Sequence, residues 1–146
     1  DVPFFLNPRP TEIGGRGEIL RELHDYPKFH VIIIKPFFGI STLEAFKNCT
    51  PKRLLKFPDI RTFDDLNSQM NNQFESSLLV QYPILSKLKT LLIENGAFGA
   101  LVTGSGSAVY GVYNNKDQQY QAYKDLTCLQ IGEIFSCETL VNHHYF

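Results

Sequence analysis

Basic stripes, cysteine frameworks and long apolar runs are all missing from these 146 residues, and each absence closes a functional class. Lysine and arginine together number 14 against 15 acidic residues, a formal net charge of −1. That balance lacks the electrostatic footprint of a nucleic-acid binder, so no nucleic-acid partner is expected. The densest basic spot, Lys52-Arg53 with Lys56, reads as a solvated helix face. The three cysteines, Cys49, Cys128 and Cys137, are too few and too widely spaced for a disulfide framework, and no pair has zinc-ligand spacing. Free thiols in a reducing cytosol are the simplest account. His24, His30, His143 and His144 show no metal spacing with a carboxylate or thiol and read as packed or solvated side chains. No apolar run approaches the length of a membrane span and no stretch has signal-peptide character, so the expectation is a cytoplasmic protein with no membrane partner. Repeats and low-complexity stretches are also lacking.

What is present is the raw material of one globular domain: 43% hydrophobic and 13% aromatic residues. Val2 to Leu6 looks like a short apolar strand entered in mid-fold, as a fragment would show, ended by Asn7-Pro8-Arg9-Pro10. Gly14 to Gly17 suggests a turn into a strand beginning Glu18-Ile19-Leu20. Phe29 to Ile34 is β-branched and apolar between Pro27 and Pro36, the pattern of a strand buried on both faces. Ser41 or Thr42 caps a short helix reaching about Asn48, with Leu43 and Phe46 on its apolar side. Thr50-Pro51 allows another helical start over Lys52 to Lys56, and Phe57 to Arg61 reads as loop.

Thr62 to Leu79 carries Leu66, Met70, Phe74 and Leu78 at a spacing of four, a helix in one or two pieces. Pro83 opens a further helix to about Asn95 whose Ile84, Leu85, Leu88, Leu91 and Leu92 make a core-facing stripe, and Gly96 is its stop. Two apolar runs, Ala97 to Val102 and Ala108 to Tyr113, flank Thr103-Gly104-Ser105-Gly106-Ser107. Asn114-Asn115 opens a polar helix over Lys116 to Leu126, with Tyr120 and Tyr123 on one side, and Gln130 to Leu140 reads as a last strand. Helices segregated to one face of an antiparallel sheet make this an α+β fold.

The 103–107 segment has two readings. It is a tight hairpin turn, or a backbone nest in which glycine admits positive φ and lets N–H groups converge on an anion. The rest of the chain bears on the segment through a resemblance, in which its glycines either support a diphosphate or let two lobes approach closely. Asp1-Val2-Pro3-Phe4, then Lys35-Pro36 through Gly39-Ile40-Ser41-Thr42 to Phe46, then Thr103 to Ser107 with Val109-Tyr110, occur in an order that resembles the carboxy-terminal half of the galactokinase–homoserine kinase–mevalonate kinase–phosphomevalonate kinase (GHMP) superfamily. Within it, the branch acting on a cytidine diphosphate methylerythritol is the most similar. Gly15-Arg16-Gly17-Glu18 and Asn48 to Lys52 add weaker support. The Asn7-to-Pro10 and His143-His144 segments depart from the pattern.

The resemblance implies a ferredoxin-like GHMP carboxy-terminal domain over residues 28–146, preceded by a remnant of the amino-terminal kinase domain over residues 1–27. It implies an ATP-dependent kinase that phosphorylates the 2-hydroxyl of 4-(cytidine 5′-diphospho)-2-C-methyl-D-erythritol in isoprenoid-precursor synthesis, in the cytoplasm or in the plastid stroma of a plant or alga. Asp1 matches the catalytic carboxylate, which as a base contributes about 10²–10⁴-fold in rate; read without the family, it caps or solvates a strand start. Thr42 and Phe46 match positions facing the cytidine end, where an aromatic ring can stack on a base; an N-cap and a core aromatic are their plainer readings. Gly104, Ser105 and Gly106 fall beside the catalytic centre. ATP and magnesium are the implied cofactors, with the phosphate loop and the metal ligands outside this chain, so the chain alone is expected to be inactive. A kinase lobe for mevalonate or homoserine, and a non-catalytic ferredoxin-like interaction module, are the rival readings. Self-association through an exposed lobe interface is the expected side effect.

Overall fold

The computed structural model describes residues 2–6, 10–23, 27–50 and 63–140. Asp1, His24, His143, His144, the Asn7-Pro8-Arg9 stretch and the 51–62 stretch with its lysines therefore lie outside the described residues. A hairpin of β1 (Thr11–Gly14) and β2 (Ile19–Glu22) pairs in antiparallel register from Thr11↔Glu22 to Gly14↔Ile19. The larger sheet has four strands, β3 (His30–Lys35), β4 (Gly99–Val102), β5 (Val109–Tyr113) and β6 (Glu133–Glu138), in the order β4-β5-β3-β6. Every neighbouring pair in it is antiparallel. With helices between β3 and β4 and between β5 and β6, this is the expected ferredoxin-like α+β arrangement.

Local chemistry sets the helices between the strands. Ser41 caps α2 (Thr42–Lys47), its hydroxyl accepting from the Glu44 amide at 3.5 Å. The long helical run is in two pieces, α3 (Phe63–Gln69) and α4 (Glu75–Gln81), with a break over 70–74. Pro83 starts α5 (Pro83–Glu94) at a position where its missing N–H has no partner to lose. Gly96, at φ +92°, ends it: the Ala97 amide donates to Leu92 O at 3.0 Å and the Gly96 amide to Ile93 O at 2.9 Å. That pair of bonds is a Schellman closure, and its left-handed residue is one that glycine adopts without Cβ strain. Asn115 caps α6 (Lys116–Thr127), accepting from Gln118 N at 2.9 Å.

One core joins the layers. Leu85, Leu88 and Leu92 of α5 and Ala122 and Leu126 of α6 pack with Ile32, Ile34, Val102, Val109 and Tyr113, all from the same side of the sheet. Each fully buried Leu or Ile contributes about 1.5–3 kcal/mol of burial free energy. Because the helices cover one face, β3 alternates: Ile32 and Ile34 are fully buried, whereas Val31 and Ile33 are half-buried. This corrects the expectation of burial on both faces.

Two further expectations fail for physical reasons. Val2–Leu6 is a short helix, α1, not a strand. A strand needs a neighbour for its N–H and C=O groups, none of the described strands pairs with this run, and a helical turn closes those bonds locally. The plainer reading of Phe46 as a core aromatic fails too: it is 63% exposed, Leu43 beside it is 65% exposed, and the helix seats itself through Ala45.

Candidate functional site

The glycine-rich segment is the β4–β5 connection. Thr103 N donates to Ala108 O at 2.9 Å and Gly106 N to Thr103 O at 3.0 Å, so the chain closes as a turn. Gly104 and Gly106 have φ of +53° and +82°. A Cβ on Gly106 would lie 3.1 Å from Ile40 Cδ1, whereas one on Gly104 would meet nothing within 4 Å. Gly106 therefore faces inward and Gly104 faces open space. Among the described residues, nothing accepts from the Gly104 and Ser105 amides. Two adjacent free N–H groups on an exposed turn can receive an anion.

The turn and its flanks are held by Lys35, Asn72 and Glu75. Lys35, the last residue of β3, donates through Nζ to Pro36 O at 3.1 Å, Phe38 O at 3.0 Å and Ser107 Oγ at 3.0 Å. Ser107, 2% exposed, donates to Phe38 O at 2.6 Å. All three ammonium hydrogens are thus engaged in tying the 36–41 connection, which leads into α2, to the end of the turn. Asn72 donates through Nδ2 to Val102 O at 2.7 Å and Gly104 O at 2.9 Å. Its Oδ1 accepts from Phe74 N at 3.0 Å. Glu75 adds a charge-assisted bond, Oε1 accepting from Val102 N at 2.8 Å while Oε2 pairs with Lys89 Nζ at 2.7 Å.

The 36–41 tether brings α2 against the turn. Thr42 Oγ1 lies 3.2 Å from Ser105 Oγ, so two side chains 63 positions apart in sequence share a hydrogen bond. One turn further along α2, on the same face, Phe46 meets Phe74 edge-on with ring centroids 4.9 Å apart. Phe46, Cys49, Asn71, Asn72, Gln73 and Phe74 line a cavity of about 450 Å³, the size of a small-molecule site. Of the residues singled out in the sequence, Thr42, Phe46, Gly104, Ser105 and Gly106 therefore gather in one region; Asp1 lies outside the described residues. Asn72 and Glu75 were not singled out, and Ser107 only as the end of the glycine-rich segment. The polar run Asn71-Asn72-Gln73 interrupting an apolar spacing of four is the signal that could have marked the first.

Electrostatic perturbations lie mostly away from the turn. Burial, then the Glu75 carboxylate, pushes the Tyr110 phenol above its ordinary range. Burial does the same to Tyr113, whose hydroxyl has no hydrogen-bond partner. At the far end of the sheet, Glu138 pairs with Lys28, which holds its carboxyl below the usual range. His30 Nδ1 lies 3.3 Å from Glu138 Oε1 without hydrogen-bond geometry. Cys49, Cys128 and Cys137 are free. Among the described residues, no three His, Cys, Asp or Glu side chains converge as cation ligands. No helix among them is long and apolar enough to cross a membrane.

A ferredoxin-like lobe that sets a glycine turn against a short helix is the architecture of the carboxy-terminal domain of the GHMP kinases. Residues 43–130 match the family model for that domain, described as GHMP kinases C terminal, and the chain belongs to this family. Over 127 residues it is 34% identical to a 4-diphosphocytidyl-2-C-methyl-D-erythritol kinase of Syntrophus aciditrophicus (strain SB), a match covering 84% of this chain and 46% of that protein. It is 33% identical over 137 residues to the protein of the same name from Thermodesulfovibrio yellowstonii (strain ATCC 51303 / DSM 11347 / YP87), covering 85% of this chain and 48% of that protein. A crystal structure of 4-(cytidine 5′-diphospho)-2C-methyl-D-erythritol kinase superposes with a TM-score of 0.79 at 24% identity, over 94% of this chain and 52% of that one. The last likeness is one of fold. The chain spans about half the length of the curated relatives it matches.

Proposed function

We propose that this chain is the substrate-binding half of an ATP-dependent kinase acting on the 2-hydroxyl of 4-(cytidine 5′-diphospho)-2-C-methyl-D-erythritol, a cytoplasmic step toward isoprenoid precursors. The observation that carries the reading is the Thr42–Ser105 contact, which joins a helix bearing an exposed aromatic ring to a turn bearing two free amides. A nucleoside diphosphate asks for both: a flat face for the base and N–H donors for the phosphates. Phe46 supplies the face, Thr42 a hydroxyl beside it, and Gly104 with Ser105 the donors. Gly106 contributes by letting the backbone pass close to Ile40. In this reading residues 1–27 are the remnant of the amino-terminal domain, residues 28–146 form the substrate domain, and Asp1 is the base that orients the attacking hydroxyl. ATP, when bound, supplies the phosphoryl group; its phosphate loop and the magnesium ligands are assigned to no residue of this chain.

The relatives' printed names favour this substrate over mevalonate or homoserine, the alternatives within the superfamily. Exposed Leu43 and Phe37 beside the site are surfaces the rest of the kinase would cover, and self-association of the isolated chain is the expected consequence. Isothermal titration with cytidine 5′-diphosphate is the test. Saturable heat that F46A abolishes supports the reading, and no heat from a protein that also contains the amino-terminal half rejects it. The isolated chain mixed with ATP and the methylerythritol substrate should give no turnover; measurable phosphorylation would show that a catalytic part has been misplaced.

A further inference from the structure

The contacts around the turn form a closed circuit. Gly104 O accepts from Asn72; Asn72 accepts from the Phe74 amide; Phe74 packs on Phe46; Phe46 shares a helix face with Thr42; Thr42 contacts Ser105, the neighbour of Gly104. Only one side chain in that circuit bonds the backbone of two segments distant in sequence. Asn72 offers both carboxamide hydrogens to the strand end and turn at 102–104 and its oxygen to the start of α4. An amide suits this task because it is donor and acceptor at once; a carboxylate is acceptor only, and a hydroxyl is too short to span both carbonyls.

We propose that Asn72 is a positioning residue that sets the turn and the Phe46–Phe74 aromatic pair together, so that the diphosphate-facing and base-facing parts of the site move as one unit. The inference rests on the proposed nucleotide reading for its functional meaning, but the coupling itself is a property of the chain alone. Glu75 reinforces it from the next turn, gripping the Val102 amide while Lys89 holds its other oxygen. A displacement of the turn thereby reaches the Phe74 amide through hydrogen bonds of 2.7–3.0 Å, and Phe46 through the ring contact.

The substitution Asn72→Asp isolates the claim. The variant keeps the acceptor for the Phe74 amide and turns both donors into acceptors facing two carbonyl oxygens, so only the turn arm breaks. In amide and aromatic NMR spectra, the Gly104, Ser105 and Gly106 amides and the Phe46 and Phe74 ring signals should all shift, while the α6 amides stay in place. Affinity for cytidine 5′-diphosphate and for cytidine should each fall at least about fivefold, because the base face is disturbed along with the phosphate face. Ring signals that stay unmoved while the turn amides shift would overturn the coupling, as would cytidine affinity left intact while the diphosphate's falls. If N72D does not fold, Phe74→Leu tests the same circuit from its other side, and turn amides indifferent to F74L would equally overturn it. If a protein that also contains the amino-terminal half binds neither nucleotide, the nucleotide reading fails while the ring and amide shifts still decide the coupling.

Discussion

Alanine at Gly104 and at Gly106 separates backbone strain from steric crowding within one turn. Both glycines have positive φ, +53° and +82°, so either alanine takes a left-handed conformation that costs an L-residue about 1–2 kcal/mol. There the two diverge. At Gly104 the new methyl points into open space and adds nothing. At Gly106 it arrives 3.1 Å from Ile40 Cδ1, 3.5 Å from Val102 Cγ1 and 3.7 Å from Leu78 Cδ1, in a packed region where Leu78 and Val102 are each 1% exposed. Only the Ile40 contact is too short, and that atom is the end of a side chain that can yield, so the crowding adds about 1 kcal/mol rather than several. The expected losses are therefore about 1–2 kcal/mol for G104A and about 2–3 kcal/mol for G106A, against a domain stability of order 5–15 kcal/mol. Urea titration read by circular dichroism measures both. Nucleotide affinity should order the other way, since the G104A methyl stands beside the free amides and obstructs an anion. If G104A destabilises as much as G106A, the outward and inward assignments are wrong, and with them the nest.

Three other outcomes follow from particular contacts. Tyr113→Phe removes a hydroxyl that is fully buried and unpartnered, so stability should rise by about 1 kcal/mol in the same urea assay; a loss would mean the hydroxyl has a partner. Glu75→Gln keeps an acceptor for Val102 but leaves Lys89 unpaired, costing about 1–3 kcal/mol. Ultraviolet titration of E75Q should also show the Tyr110 phenol falling toward its ordinary range without reaching it, because burial, the larger cause, remains. Burial likewise raises the Cys137 thiol, leaving less thiolate at pH 8, so iodoacetamide should modify it more slowly than free cysteine, and an equal rate would refute the shift.

The chain's local grammar reached far. Pro83 and Gly96 bounded α5 because one lacks an N–H where none is needed and the other tolerates positive φ; both effects act within a single residue. The hairpin and its glycines were legible for the same reason. Periodicity located the Leu85, Leu88 and Leu92 stripe but placed Ile84 with it, although that residue is 43% exposed. Whether Leu43 and Phe46 face the core was not legible, because a six-residue helix has too little apolar pattern to reveal which side it docks.

The sequence by itself determined the described elements after Val2–Leu6, their order, the α+β class and the motif at 103–107, since propensity, caps and hydrophobic spacing act over a few residues. Tertiary structure alone decided that Thr42 touches Ser105, that Lys35 ties a connection to the turn, and that one asparagine inside a polar run grips two carbonyls 30 and 32 positions away. Such hydrogen bonds require groups placed within about 3 Å by the packing of separate elements, and spacing along the chain carries no record of that distance.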